Sequence, residues 1–210
     1  VHLPSRIRPS LRGGSLVATD RLPSRELIPR LLATSDVLGA VWCAADAANV
    51  KPGCTVVVVG DGAVGLLGVL SAKQMGAERI IAMSRHTSRQ KLAREFGATD
   101  IVIERGDEGI ARIKELTKGV GADSVLECVG TQESMMQAIN STRPGGYIGY
   151  VGVPHGVSHD GEQLFSSHVH LHGGPAPVRR YLPELIELVL DRNIDPGQVS
   201  DVTLPLDQVA

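Results

Sequence analysis

Aromatic residues are scarce in this 210-residue chain, at 3% of the total. The core must therefore be built from Val, Ile, Leu and Ala. That bias suits a parallel sheet buried on both faces, whose strands read as near-continuous β-branched runs. Cysteine is also sparse: Cys43, Cys54 and Cys128 are widely spaced and odd in number. Without a C-x-x-C pair, neither a cysteine zinc knuckle nor a disulfide framework is available. No run in the sequence reaches about 18 apolar residues and the N-terminus lacks an apolar signal core, so a soluble cytoplasmic protein is expected. Neither sign of charge dominates. The formal net charge is −2 with both signs interspersed, which gives no reason to expect nucleic acid or a membrane as partner. What remains, 42% hydrophobic and 21% charged residues, is ordinary globular composition at a length that can bury one good core.

The first residues lack periodicity. Pro4, Pro9, Pro23, Pro29 and the Gly13-Gly14 pair predict an extended lead-in over residues 1–34, with one short strand at Ser15–Ala18. Ser35 or Asp36 is placed to cap a helix running to about Asn49, stopped by Lys51-Pro52-Gly53. From there strands and helices alternate. Strands are expected at Thr55–Val59, Arg79–Met83, Asp100–Ile103, Ser124–Cys128, Tyr147–Val151 and Val169–His172. Helices are expected at Ala63–Met75, Ser88–Phe96, Gly109–Thr117, Gln132–Ser141 and Val178–Asp191, most of them followed by glycine. This alternation predicts an α/β fold, a doubly wound parallel six-stranded sheet covered on both faces, over residues 35–210.

The central motif is Gly60-Asp61-Gly62-Ala63-Val64-Gly65, directly after a run of valines and directly before a helix. A lone G-x-G-x-x-G is weak, but strand, turn and helix in this order are the context of a dinucleotide-binding Rossmann turn. Gly60 allows the tight turn, Gly62 lets a pyrophosphate approach the backbone, and Gly65 lets helix and strand pack closely. The N–H groups of Ala63 and Val64 then open the helix toward the phosphates. A strand-to-helix turn without a ligand is the plain alternative.

The end of the second strand decides which dinucleotide. A site for NAD places Asp or Glu there to accept from the ribose hydroxyls. This chain reads Met83-Ser84-Arg85-His86-Thr87-Ser88-Arg89, with no carboxylate in that stretch to repel a 2′-phosphate. Ser84 can donate to the phosphate, Arg85 can pair with it, and Arg89 adds a second positive charge. NADP(H) is therefore the expected cofactor. The missing acid also speaks against an S-adenosylmethionine methyltransferase.

With these residues in view, the chain resembles the medium-chain dehydrogenase/reductase family, in particular zinc-dependent alcohol dehydrogenases. The resemblance runs through Val50-Lys51-Pro52-Gly53, the glycine turn, Phe96-Gly97-Ala98-Thr99-Asp100, Glu127-Cys128-Val129-Gly130 and Arg143-Pro144-Gly145-Gly146, in the family's order. It implies that Val129, Gly130 and Thr131 pass beside the nicotinamide ribose, and that Gly152 and Val153 hydrogen-bond the carboxamide through backbone. It implies hydride transfer between NADPH and an alcohol or carbonyl, with zinc polarising the oxygen. The family's GroES-like catalytic domain has no counterpart here. Residues 1–34 resemble the crossover from it, and Leu206–Ala210 the start of a closing segment, so a domain truncated at its C-terminus is expected. Asp36 aligns with the family's third zinc ligand, but one carboxylate cannot hold zinc. Zinc is thus expected in a full-length parent and not in this chain. The resemblance also implies a homo-oligomer through the sheet edge.

Two other readings stand beside this one: a zinc-free quinone or enoyl reductase of the same superfamily, and a non-catalytic NADPH-binding module. His168, His170 and His172 would share a strand face, which permits a metal, though half-buried structural histidines are the default expectation. Cys128 is expected to be an inert thiol within a buried strand, and Asp100 and Asp123 to be turn residues.

Overall fold

A computed structural model describes residues 17–19, 22–202, 204, 205 and 208. Among these, six strands form one sheet in the order β3-β2-β1-β4-β5-β6. The strands are β1 (Thr55–Val59), β2 (Arg79–Met83), β3 (Asp100–Val102), β4 (Ala122–Glu127), β5 (Thr142–Tyr150) and β6 (His170–Gly173). Every neighbouring pair runs parallel; Val57, for example, stands between Ile81 and Val125.

Alternation along the strands divides the core in two. Val56, Val58, Ile80, Ala82 and Leu126 face one side of the sheet. That side is covered by α2 (Gly39–Ala47), α3 (Ala63–Gln74), α4 (Thr87–Glu95) and α8 (Val178–Leu190), which contribute Val41, Leu67, Ala93 and Leu185. Val57, Val59, Ile81, Met83, Val125 and Ile148 face the other, under α5 (Gly106–Leu116) and α6 (Gln132–Ser141), with Ile113, Met135 and Ile139. Successive strand side chains point to opposite faces, so a sheet covered twice needs unbroken apolar strands. The four valines of β1 meet that need.

The chain before β1 is more helical than its prolines suggest. A 3-10 turn at Arg25–Leu27 leads into α1 (Ile28–Ala33), a π-helical turn Thr34–Leu38 and then α2. Pro29 lies in the first turn of α1, where its missing N–H costs nothing. Ser35 and Asp36 therefore do not cap a helix. They sit inside one, and the Ser35 hydroxyl donates to the Leu32 carbonyl at 2.8 Å. Of the strand expected at Ser15–Ala18, residues 15 and 16 lie outside the described residues, and residues 17–19 are not strand. The closing segment expected at 206–210 also lies outside them, apart from Gln208. The continuous helix Arg25–Ala47 is long and apolar enough by length and composition to cross a membrane, yet 44% of its most apolar stretch is buried inside the fold. It is a core helix lying against α3 and β5, and the carbonyl of Ala44 approaches Gly149 so closely that no Cβ would fit.

Other expectations change at the edges. β5 begins at Thr142, before the expected Pro-Gly-Gly turn, and its register against β4 shifts between Ala122 and Ser124. A short helix α7 (Gly161–Ser167) precedes β6, capped by the Asp160 carboxylate, which accepts from the Glu162 N–H at 2.9 Å. His168 ends α7 in a left-handed conformation, φ 53°, and so does not belong to the strand. His170 and His172 are exposed on edge strand β6 rather than half-buried, and His170 stacks on Tyr147 at 4.3 Å. No group of three or more metal-capable side chains occurs among the described residues. Asp100 and Asp123 lie within strands, and each ties neighbouring strands together. Arg79 forks onto Asp100 with two bonds of 2.9 Å. Asp123 accepts from Arg143 at 2.7 Å and from the Thr55 N–H at 2.8 Å.

Candidate functional site

The strand order reverses between β1 and β4. The chain moves outward to β2 and β3 on one side, and to β5 and β6 on the other. In such sheets the loops leaving these two strands part and open a crevice at the strands' carboxyl ends. Here that crevice is a cleft of about 770 Å³ lined by Gly60, Asp61, Gly62, Arg85, Arg105, Val129, Thr131 and Gln137, among others.

The glycine turn forms its floor, and each glycine has a separate reason. Gly60 has φ +118°, a conformation that L side chains rarely adopt, and an added Cβ would lie 2.9 Å from Val129 Cγ2. A Cβ on Gly65 would overlap the Gly60 carbonyl, so α3 can press onto β1 only through glycine. A Cβ on Gly62 meets nothing within 4 Å. It would project into open cleft, which is where a ligand would need the room. Gly62 is the N-cap of α3 and supplies no side-chain cap. The first-turn N–H groups, at Ala63 and Val64, are thus left to whatever occupies the cleft.

The opposite wall is the pair of loops after β4 and β5. Glu127 ends β4 fully buried, and its Oε1 accepts from the N–H groups of Val129 and Gly130 at 2.9 and 2.8 Å. Gly130, at φ +88°, lies against the Val153 carbonyl, and Gly152 lies against the Gly130 N–H. Gly130 and Gly152 thus bring the two loops together backbone to backbone, leaving Val129 and Val153 exposed at the rim. Thr131 lines the cleft but commits its hydroxyl to capping α6, accepting from the Ser134 N–H at 3.2 Å. Cys128 lies one residue beyond β4 and lines the cleft half-buried, which corrects its expected place within a strand. Burial and the neighbouring Glu127 push its thiol pKa up, so it stays protonated and a poor nucleophile.

At the far end of the cleft the β2 terminus and the first turn of α4 bring Ser84, the Arg85 N–H and Arg89 together around an acid. The Asp61 carboxylate reaches across from the glycine turn: Ser84 Oγ donates to Oδ2 at 3.0 Å, the Arg85 N–H donates to Oδ2 at 3.1 Å, and Arg89 donates to Oδ1 at 3.3 Å. The expectation of no carboxylate at this position is therefore corrected. An acid stands there, supplied from 23 residues upstream of Ser84 rather than from the strand end. Burial raises its pKa, but the bonds from Ser84 and Arg85 and the charges of Arg89 and His86 more than offset this and hold it below the usual carboxylate range. Arg105, also missed in the sequence, half-buries itself beside them, with one guanidinium N–H on the Met83 carbonyl at 3.1 Å. Its pKa is lowered by burial, with Asp61 acting in the opposite direction. Gln137 on α6 lines the same end, and its buried Nε2 has no hydrogen-bond partner among the described residues.

These residues fit a dinucleotide. The cleft floor offers helix N–H groups with open space before them, one end is cationic, and a buried amide donor is unspent there. They do not by themselves fit zinc. Asp36 is exposed in the π-helical turn and contributes a single carboxylate.

Comparison with known proteins agrees with the fold. Residues 63–191 match the family model described as "Zinc-binding dehydrogenase". The chain is 36% identical to the "Probable zinc-binding alcohol dehydrogenase Rv1895" of Mycobacterium tuberculosis, over 90% of this chain and 49% of that protein. It is 30% identical to the NADP-dependent isopropanol dehydrogenase of Clostridium beijerinckii, over 83% of this chain and 51% of that protein. Among solved structures, the alcohol dehydrogenase TADH from Thermus sp. ATN1 superposes with a TM-score of 0.79 at 27% identity, over 86% of this chain and 52% of that one. The chain thus spans about half the length of the curated relatives it matches.

Proposed function

The chain belongs to the zinc-binding dehydrogenase family, and from that premise we propose that it is the NADP(H)-binding part of a zinc-type alcohol dehydrogenase acting on a small alcohol, aldehyde or ketone. The observation that carries the proposal is the cationic end of the cleft, where Ser84, the Arg85 N–H and Arg89 converge on one anion position. In this reading the pyrophosphate lies on the first turn of α3, at Gly62, Ala63 and Val64. Ser84, Arg85 and Arg89 take the 2′-phosphate. Val129, Gly130 and Thr131 flank the nicotinamide ribose, and Gly152 and Val153 present backbone to the carboxamide. When bound, the dinucleotide supplies or accepts the hydride. The chain's own part is to orient the ring at the rim and to exclude water with Val129 and Val153. Asp36 would offer one zinc ligand to a site completed by residues outside this chain. The similarity to the NADP-dependent isopropanol dehydrogenase of Clostridium beijerinckii supports the cofactor choice. A cytoplasmic homo-oligomer paired through the exposed β6 edge belongs to the same reading.

Calorimetric titration with NADPH and NADH, side by side, tests it. The expected result is tighter binding of NADPH, with the preference lost in Arg89→Ala, which removes the guanidinium that donates to this position. Equal or tighter NADH binding would overturn the cofactor assignment. Binding of neither would overturn the dinucleotide reading.

A further inference from the structure

Asp61 occupies the position that the cofactor reading gives to a phosphate. Its two oxygens take a hydrogen bond from Ser84 Oγ, one from the Arg85 N–H and one from Arg89, at 3.0, 3.1 and 3.3 Å. The side chain is not a solvated surface acid, since it is only 16% exposed. A donor hydrogen directed at one acceptor is not available to another, so a 2′-phosphate and the Asp61 carboxylate compete for the same three donors. The charged groups facing this position from the other elements are cationic: Arg85 after β2, Arg89 on α4, and Arg105 before α5, with the His86 imidazole beside them. A dianion is therefore attracted to the position, but only once the carboxylate has left the donors. A ribose 2′-hydroxyl makes the opposite demand. It can donate to Asp61 as the carboxylate stands, and asks nothing to move.

We propose that Asp61 is the cofactor-discriminating residue of this site: its carboxylate closes the 2′-phosphate cradle, is displaced by NADP(H), and accepts the 2′-hydroxyl of NAD(H). The proposal rests on the dinucleotide reading above. It makes the site less selective for NADP(H) than Ser84 and Arg85 alone imply. NADP(H) binds only the conformer with the carboxylate withdrawn, and its apparent affinity falls by that conformer's fraction. NAD(H) pays no such penalty, and selectivity is the difference between the two. The acid that an NAD site places at the end of β2 is here carried by the glycine turn, where a small rotation can remove it.

The test is calorimetric titration of the wild-type chain, Asp61→Asn and Asp61→Ala with adenosine 2′,5′-bisphosphate and with adenosine 5′-diphosphate, the folding of each protein being checked by its thermal melt. Removal of the carboxylate is expected to tighten the 2′,5′-bisphosphate by about tenfold or more and to weaken the 5′-diphosphate. Asp61→Asn keeps the shape without the charge, so a fold defect in Asp61→Ala does not spoil the comparison. If the 5′-diphosphate binds all three proteins and the 2′,5′-bisphosphate does not tighten in either variant, the dinucleotide reading stands and this inference is overturned. If neither nucleotide binds any of the folded proteins, the dinucleotide reading falls, and this inference with it.

Discussion

The two ends of the cleft are built by different means. The floor under the proposed pyrophosphate is backbone: Gly60 turns, Gly65 lets α3 close on β1, and Gly62 leaves space before the helix N-terminus. The proposed adenosine end is side chain: a carboxylate, a serine and arginines brought from three segments of the sequence. Backbone sites are set by where a Cβ can and cannot stand, and tolerate almost no substitution. Side-chain sites can be retuned one residue at a time without touching the fold. In the proposed reading, anion binding is thus inseparable from the architecture at one end, while specificity is adjustable at the other.

The sharpest way to break this comparison is to substitute the two glycines that look alike in the motif. Gly65→Val places methyl groups into the Gly60 carbonyl and is expected to cost more than about 3 kcal/mol, leaving little folded protein in a thermal melt. Gly62→Val enters open space at an ordinary φ. Its melting stability is expected to stay within about 1 kcal/mol of wild type while NADPH binding is lost. If both variants fold equally well, the division of roles within the turn is wrong.

At the side-chain end effects are smaller and leave the fold alone. Arg89→Ala exposes no core, since the Arg89 side chain is already exposed beside the cleft. It is expected to weaken NADPH by about tenfold, the value of one charge-assisted contact near 1.4 kcal/mol, with NADH little changed in the same titration. Thr131→Ala, across the cleft, removes the reciprocal cap of α6 and should cost about 1 kcal/mol in denaturant unfolding.

The smallest effect expected is in pH. Asp61 is held below its usual range. Its contribution to stability is therefore complete above about pH 4, the unfolded value, and is lost as pH falls through its depressed folded value. The loss should be under about 1 kcal/mol at this cleft-side position. Comparing guanidinium midpoints at pH 7 and in acid should show it in the wild type and not in Asp61→Asn. Asp100 and Asp123, also depressed, add the same sign of acid sensitivity in both proteins and so cancel in the comparison.

The same contrast explains what the sequence disclosed. Thr55–Val59 and the alternation that follows announce a doubly wound sheet, because continuous β-branched runs and glycine stops are local signals. The Rossmann turn is legible for the same reason. Pro29 misled because proline reads as a breaker unless the helix is known to start there, and Arg25–Leu27 offers no strong cap to say so. Helix α7 is short and half-exposed, and its apolar pattern is correspondingly faint. Asp61 was in plain view within the motif, but its partners are 23 to 28 residues away. Only the pairing of β1 with β2, which sets Val59 beside Met83, brings them together. Reading the residue after Gly60 as lying next to the end of β2 would have found it. Arg105 would have needed the β2–β3 pairing as well.

The most direct test of the account is the structure of this chain with NADPH bound. The pyrophosphate is expected on the N–H groups at the start of α3. The 2′-phosphate is expected on Ser84 Oγ, the Arg85 N–H and Arg89, with the Asp61 carboxylate turned away from them. A nucleotide bound elsewhere, or one in the cleft with its phosphate off these donors and Asp61 unmoved, would contradict it.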